Sequence, residues 1–183
     1  YETTLNLMAV SVVPESALME ALEILAKSPV DAIYVVDSNG SLYSEQVRDL
    51  TQIFLKAVEG TGKDIGIHTH NNQELAYANT IEALILGANR LDATLAGLGR
   101  GAGNCRLELL LGFLKNPRFH LRPVLQCIQD VILPLQDKMD WGFSIPYMLT
   151  GQLNLHPRDA IEMRAGTTPD DYVAFYDKLL EKD

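Results

Sequence analysis

Residues 64–70 read Asp64-Ile65-Gly66-Ile67-His68-Thr69-His70, a short β-rich run that ends on two histidines. The run predicts a strand. After it, Ala78, Ile81 and Ile85 fall on one helical face, and Gly87 stands where that helix should stop. The same alternation recurs on both sides. Thr4 to Val10 reads as a strand, followed by a helix with Pro14 in its first turn and Leu18, Leu22 and Leu25 on one face. Asp31 to Asp37 is a second strand, closed by Ser38-Asn39-Gly40. Val47, Leu50, Phe54 and Ala57 line the helix after it, with Gly60 placed to end it. Leu91 to Ala96 is the fourth strand, leading through a glycine-rich loop to a helix over Leu107–Leu114 that Asn116-Pro117 terminates.

Four strand–helix units at intervals of about 30 residues are the size of a βαβ step. They imply a parallel α/β sheet, either doubly wound or a barrel. No residue-level repeat links the units, so the period is architectural. Beyond Pro117 the strand pattern ceases. Pro123–Gln136 and Pro169–Lys182 read as helical, with Trp141, Phe143 and Tyr147 in an irregular stretch between them. The expected organisation is therefore an α/β unit over 1–117 and a helical C-terminal appendage over 118–183.

Composition narrows the function classes. The chain has 183 residues, 47% of them hydrophobic, enough for one packed domain. Its 15 Lys+Arg against 24 Asp+Glu, a formal charge of −9, argue against a nucleic-acid partner, which needs clustered cations. No apolar run approaches the roughly 20 residues of a membrane span, and no secretory signal pattern opens the chain. Cys105 and Cys127 form neither a disulfide framework nor a zinc spacing and suit a reducing cytoplasm. The chain begins at Tyr1 rather than Met, as a piece of a longer protein would.

His68 and His70 are two apart on a strand, so both project to one face. They lie at its C-terminal end, where parallel α/β folds place active sites. Two neutral imidazoles there are natural ligands for a divalent metal; the plainer alternative is a pair satisfied by hydrogen bonds. The loop Gly97-Leu98-Gly99-Arg100-Gly101-Ala102-Gly103-Asn104 formally fits a dinucleotide fingerprint. That reading fails, because no strand ending in an acid follows about 20 residues on. The glycines instead suit close approach of a ligand, with amides free to bind anionic oxygens. Asn104 either caps the next helix, the simpler role, or turns its amide oxygen to a metal. Asp37 is a ligand, an acceptor for a histidine N–H, or a turn residue. Asp92, early in its strand, is expected to be structural. His120 and His156 have no partner pattern and read as surface or capping residues. Trp141, Phe143 and Tyr147 are expected to pack, with Tyr147 able to reach a pocket from the tail.

His68-Thr69-His70-Asn71, then Ala76-Tyr77-Ala78-Asn79, then Ala96-Gly97-Leu98-Gly99-Arg100-Gly101-Ala102-Gly103-Asn104 carry a family resemblance. The sequence resembles the metal-dependent pyruvate aldolases of the 4-hydroxy-2-oxovalerate aldolase type. These belong to the TIM-barrel metallolyase superfamily, with hydroxymethylglutaryl-CoA lyase, isopropylmalate synthase and the carboxyltransferase domains. Val35-Val36-Asp37-Ser38-x-Gly40, the Ala96-Gly97-Leu98-Gly99 wording and Leu133-Pro134-Leu135 in a helical tail favour the aldolase branch. The likeness covers nearly the whole chain, more loosely after Pro117.

The resemblance implies that the four strands match strands five to eight of a TIM (β/α)8 barrel, its C-terminal half. It implies a divalent ion, Mn²⁺ or Mg²⁺, held by His68 and His70, with Asn104 matching a fourth ligand of the lyase relatives. That ion chelates pyruvate or another 2-oxo acid and stabilises the enolate formed as the C–C bond breaks. Tyr147 is the candidate for the family's substrate-orienting tyrosine. The Arg-Asp pair of the first barrel strand, which supplies a metal ligand and an enolate-neutralising cation, has no counterpart here. The chain alone is accordingly expected to be close to inactive, and to pair with a missing N-terminal half or a second copy, because four strands cannot close a barrel. In that family the tail also touches an acylating aldehyde dehydrogenase, making such an enzyme a candidate partner. The alternatives are a Claisen-type acyl-CoA synthase or carboxyltransferase of the same superfamily, and a non-catalytic half-barrel assembly module. Against the synthase, those relatives carry an acid in the glycine loop where this chain has Arg100-Gly101.

Overall fold

Val35 in strand β2 (Ala32–Asp37) is fully buried, as is Ile67 in strand β3 (Asp64–Thr69), and the two residues pair side by side. Around this centre a computed structural model describes residues 1–166, 168 and 170–182. β1 (Thr4–Leu7) pairs with β2, and β3 pairs with β4 (Arg90–Leu91), all in parallel. The sheet order is β1-β2-β3-β4. Every strand lies beside its sequence neighbours, the order of a barrel wall; a doubly wound sheet would reverse direction at a switch point.

The two faces of the sheet differ. Ile33, Val35, Ile65 and Ile67 point one way, packing with Leu18 and Leu22 of helix α1 (Glu15–Ala26), Val47 and Phe54 of α2 (Ser44–Ala57) and Ala83 of α3 (Ala76–Leu86). Fully burying a leucine or phenylalanine there contributes about 1.5–3 kcal/mol. The alternate residues Ala32, Tyr34 and Val36 form a separate cluster on the opposite face. His68 pairs in register with Val36, and strand alternation therefore places it on that second face.

α4 (Leu107–Leu114) begins and ends where the sequence predicts. After it come α5 (Leu121–Cys127), a π-helical turn (Ile128–Ile132), α6 (Leu133–Gln136), α7 (Ile145–Gln152), α8 (Arg158–Ala165) and α9 (Tyr172–Leu180). Tyr147, Ala160, Phe175 and Leu179 of the last three helices form a second core with Ala102 of the glycine loop. Asn154, just past α7, ties this region to the loops after β1 and β2. Its Oδ1 accepts hydrogen bonds from Ser11 Oγ at 2.8 Å and Ser41 Oγ at 2.8 Å, and its Nδ2 donates to the Ser11 carbonyl at 3.0 Å.

Several boundaries differ from the sequence expectation. β1 stops at Leu7 because Ala9 turns to a φ of +55°. β4 has two residues, not the six of Leu91–Ala96. Thr94 makes only an isolated bridge to Arg106, and the chain then curls into a 3₁₀ turn over Leu95–Gly97. Asp92 consequently lies just past the end of β4, not early in a strand. The stretch expected to be irregular contains α7, with Tyr147 in it, and α8 follows. Their buried positions include Thr150, Gly151 and Ala160, small residues that leave a weak apolar stripe. Pro169, the expected start of the last helix, lies outside the described residues.

Candidate functional site

β3 ends at Thr69, and His70 follows as a single antiparallel bridge to Asn104. The Asn71 N–H donates to the Gly103 carbonyl at 2.8 Å, and the Cys105 N–H to the Thr69 carbonyl at 3.3 Å. These bonds bring the glycine loop against the histidine pair, so three of the predicted site residues, His68, His70 and Asn104, meet at one end of the sheet.

Each imidazole is oriented through Nδ1. The His68 Nδ1 lies 3.0 Å from Asp92 Oδ2, and the His70 Nδ1 lies 2.9 Å from the Asp37 carbonyl oxygen. An acceptor at Nδ1 fixes the proton there and leaves the Nε2 lone pair for another bond. The ring centroids are 5.1 Å apart at 73°. With metal–nitrogen bonds of about 2.1 Å, two imidazoles sharing one ion have centroids roughly 5 Å apart. Burial lowers the His70 pKa to about 4, helped by the charges of His68 and Arg100. His70 is therefore neutral near pH 7, the form that ligates.

Asn104 is not a helix cap. α4 starts three residues later, with Arg106 at its N-cap position and no side-chain capping bond. Asn104 Nδ2 donates to the Leu98 carbonyl at 3.0 Å, which fixes the amide's orientation. Its Oδ1 is buried and has no hydrogen-bond partner among the described residues. An unpaired buried carbonyl costs about 1–3 kcal/mol, and a cation beside it would remove that cost. Two imidazoles and this oxygen fit a divalent ion as an incomplete ligand set. Among the described residues, no three His, Cys, Asp or Glu side chains group closely enough to hold a metal by themselves.

Asp37 settles as a turn residue whose backbone serves the site. Its carboxylate is 1% exposed and accepts from the Ser41 and Leu42 N–H groups at 3.0 and 3.2 Å, while its main-chain carbonyl holds His70. Burial raises its pKa. Asp92, expected to be structural, instead orients His68. Its short sequence distance from the glycine loop was the available signal, hidden by the overlong strand assignment.

The loop's glycines make room for side chains. A Cβ on Gly99 would fall 2.4 Å from Asn104 Nδ2, and one on Gly101 would fall 2.3 Å from the Tyr147 ring. The expected cradle of free amides is absent at four positions: the Gly97, Leu98, Gly103 and Asn104 N–H groups all bond to carbonyls within residues 94–100. Tyr147 is 4% exposed, and burial raises its phenol pKa. Its carbonyl accepts from Asn72 Nδ2 at 3.3 Å, and the Arg164 guanidinium lies 5.8 Å from its ring centroid. The structure thus seats Tyr147 against the loop that carries Asn104. His120 and His156 are both away from this cluster, with the His156 ring accepting from the Arg158 N–H.

Comparison with known proteins places the chain among relatives of one family. The HMGL-like family profile matches residues 2–131. A 4-hydroxy-2-oxovalerate aldolase from Geobacillus stearothermophilus is 40% identical over 113 residues, 62% of this chain and 32% of that protein. An oxaloacetate decarboxylase from Mycobacterium tuberculosis strain H37Rv is 44% identical over 96 residues, 52% of this chain and 27% of that protein. The matched segment spans about a third of the length of these curated relatives. The crystal structure of the N-terminal domain of a Bacteroides vulgatus protein, provisionally classed as an aldolase, superposes with a TM-score of 0.76 at 27% identity. The match covers 95% of this chain and 58% of that one. Among the described residues, no helix is long and apolar enough to cross a membrane.

Proposed function

This chain belongs to the HMGL-like family, and from that premise we propose that it supplies part of the active site of a divalent-metal-dependent aldolase or lyase. The reaction breaks or forms a C–C bond next to pyruvate or another 2-oxo acid. The observation that carries this reading is the pair of imidazoles, each held through Nδ1, beside the unpartnered Asn104 oxygen. His68, His70 and Asn104 hold the ion, Mn²⁺ or Mg²⁺. When bound, the ion supplies Lewis-acid stabilisation of the negative charge that develops on the keto oxygen as the bond breaks.

The chain's own residues do the positioning. Asp92 keeps the His68 proton on Nδ1, and the Asp37 carbonyl does the same for His70, so both present Nε2. Tyr147, fixed between Gly101 and Asn72, orients substrate from the tail. Four parallel strands with open edges at β1 and β4 leave a barrel unclosed. The working unit is therefore completed by further strands, as befits relatives about twice as long. On this reading the chain is the C-terminal half, strands five to eight, of a TIM barrel with a helical appendage.

Equilibrium dialysis with Mn²⁺ tests the metal site. One ion per chain is expected, lost in His68→Ala and His70→Ala and weakened in Asn104→Ala. Pyruvate release from 4-hydroxy-2-oxovalerate then tests the reaction: negligible turnover by the chain alone, and turnover once the remaining barrel strands are supplied. Turnover by the chain alone would overturn its incompleteness. Stoichiometric metal absent even with those strands present would leave the non-catalytic assembly reading.

A further inference from the structure

We propose that Arg100 is a carboxylate-binding residue of this site, pairing its guanidinium with the carboxylate of a 2-oxo acid; the assignment deepens, and rests on, the metal-dependent lyase reading. Arg100 is exposed in the middle of the glycine loop, and its Nη2 donates to the Ser38 carbonyl at 3.2 Å. The neighbouring carbonyl, that of Asp37, holds the His70 ring. Consecutive residues stand about 3.8 Å apart, so the imidazole and the guanidinium are anchored side by side at the C-terminal end of β2.

Among the described residues that charge has no counter-ion. In a chain where acids outnumber cations 24 to 15, three of the other seven arginines are neutralised: Arg48 by Glu82 at 2.8 Å, Arg90 by Asp64 at 2.7 Å, and Arg164 by Asp140. Among the described residues no carboxylate lies within 4.0 Å of Arg100. The two acids of the site are committed elsewhere, Asp37 to the Ser41 and Leu42 amides and Asp92 to His68. A guanidinium offers five N–H donors in a planar fork. Ser38 uses one direction and leaves others free for a carboxylate, the anion whose geometry the fork matches. The loop that carries the residue is fixed on both sides, by Gly99 against the Asn104 amide and Gly101 against the Tyr147 ring. A 2-oxo acid seated beside the histidines would meet this cation.

The test compares pyruvate with pyruvamide, its uncharged amide, by calorimetric titration of wild type, Arg100→Gln and Arg100→Lys, with and without Mn²⁺. Losing a charge-assisted contact should weaken pyruvate binding by about 10-fold or more in Arg100→Gln. Pyruvamide and Mn²⁺ binding should stay within about twofold, and Arg100→Lys should fall between. Equal pyruvate binding by wild type and Arg100→Gln, equal weakening of pyruvamide, or no pyruvate binding by wild type would each overturn the assignment. A wild-type chain that binds no Mn²⁺ would count against the lyase reading, while the metal-free comparison of the two ligands would still decide the role of Arg100.

Discussion

Asp92 Oδ2 accepts a hydrogen bond from His68 Nδ1 at 3.0 Å, across from the end of one strand to the next. The carboxylate is partly exposed, with 41% of its side chain accessible, so it contributes little to packing. Its consequence is the orientation and tautomer of His68. Asp92→Ala should keep the far-ultraviolet circular dichroism of wild type and lower Mn²⁺ affinity about 10- to 100-fold, measured by dialysis or electron paramagnetic resonance titration. Unchanged affinity would reduce the contact to a surface pair.

Gly101 is at a φ of +59°, with the Tyr147 ring where a side chain would begin. Gly101→Ala should cost about 2 kcal/mol or more in urea unfolding, from the left-handed backbone and the displaced ring. Part of that loss belongs to Tyr147. A double-mutant cycle with Tyr147→Ala should return a coupling of about 1 kcal/mol; purely additive effects would mean that the ring yields freely.

Asn154 holds the tail through its side chain at a φ of +51°. Replacing it with glycine removes those hydrogen bonds but leaves the backbone relaxed, whereas alanine adds the cost of the left-handed conformation. Both variants should be destabilised, Asn154→Ala by about 1 kcal/mol more than Asn154→Gly. The reverse order in denaturant midpoints would show that the left-handed backbone carries no cost at this position.

The pKa of His70 is about 4 in the folded chain against an ordinary 6.5. The unfolded chain thus binds the proton first as pH falls, so this residue's contribution is whole above about pH 6.5 and lost progressively towards pH 4. Asp37 acts in the opposite sense, because burial raises its pKa and favours the protonated folded form at acid pH. With metal chelated, stability by urea unfolding should decline between pH 6.5 and 4, and His70→Asn should decline less steeply. Parallel pH profiles would remove His70 as the source.

The sequence by itself determined the parallel α/β class, the three longer strands to within about a residue or three, and the meeting of His68 and His70 on one face. Those features follow from local periodicity and from the alternation of side chains along a strand, which a single stretch of chain carries. It also marked the glycine loop as special, but not what its glycines are for. Only the tertiary structure decided that Gly99 and Gly101 make way for Asn104 and Tyr147, that Asp92 orients His68, and that Arg100 stands beside His70 without a counter-ion. Apart from Gly99 and Asn104, which meet within one folded loop, each of those relationships joins residues separated by a helix or more along the chain. Packing and hydrogen bonding between distant segments fix those, and no local pattern in the sequence records them.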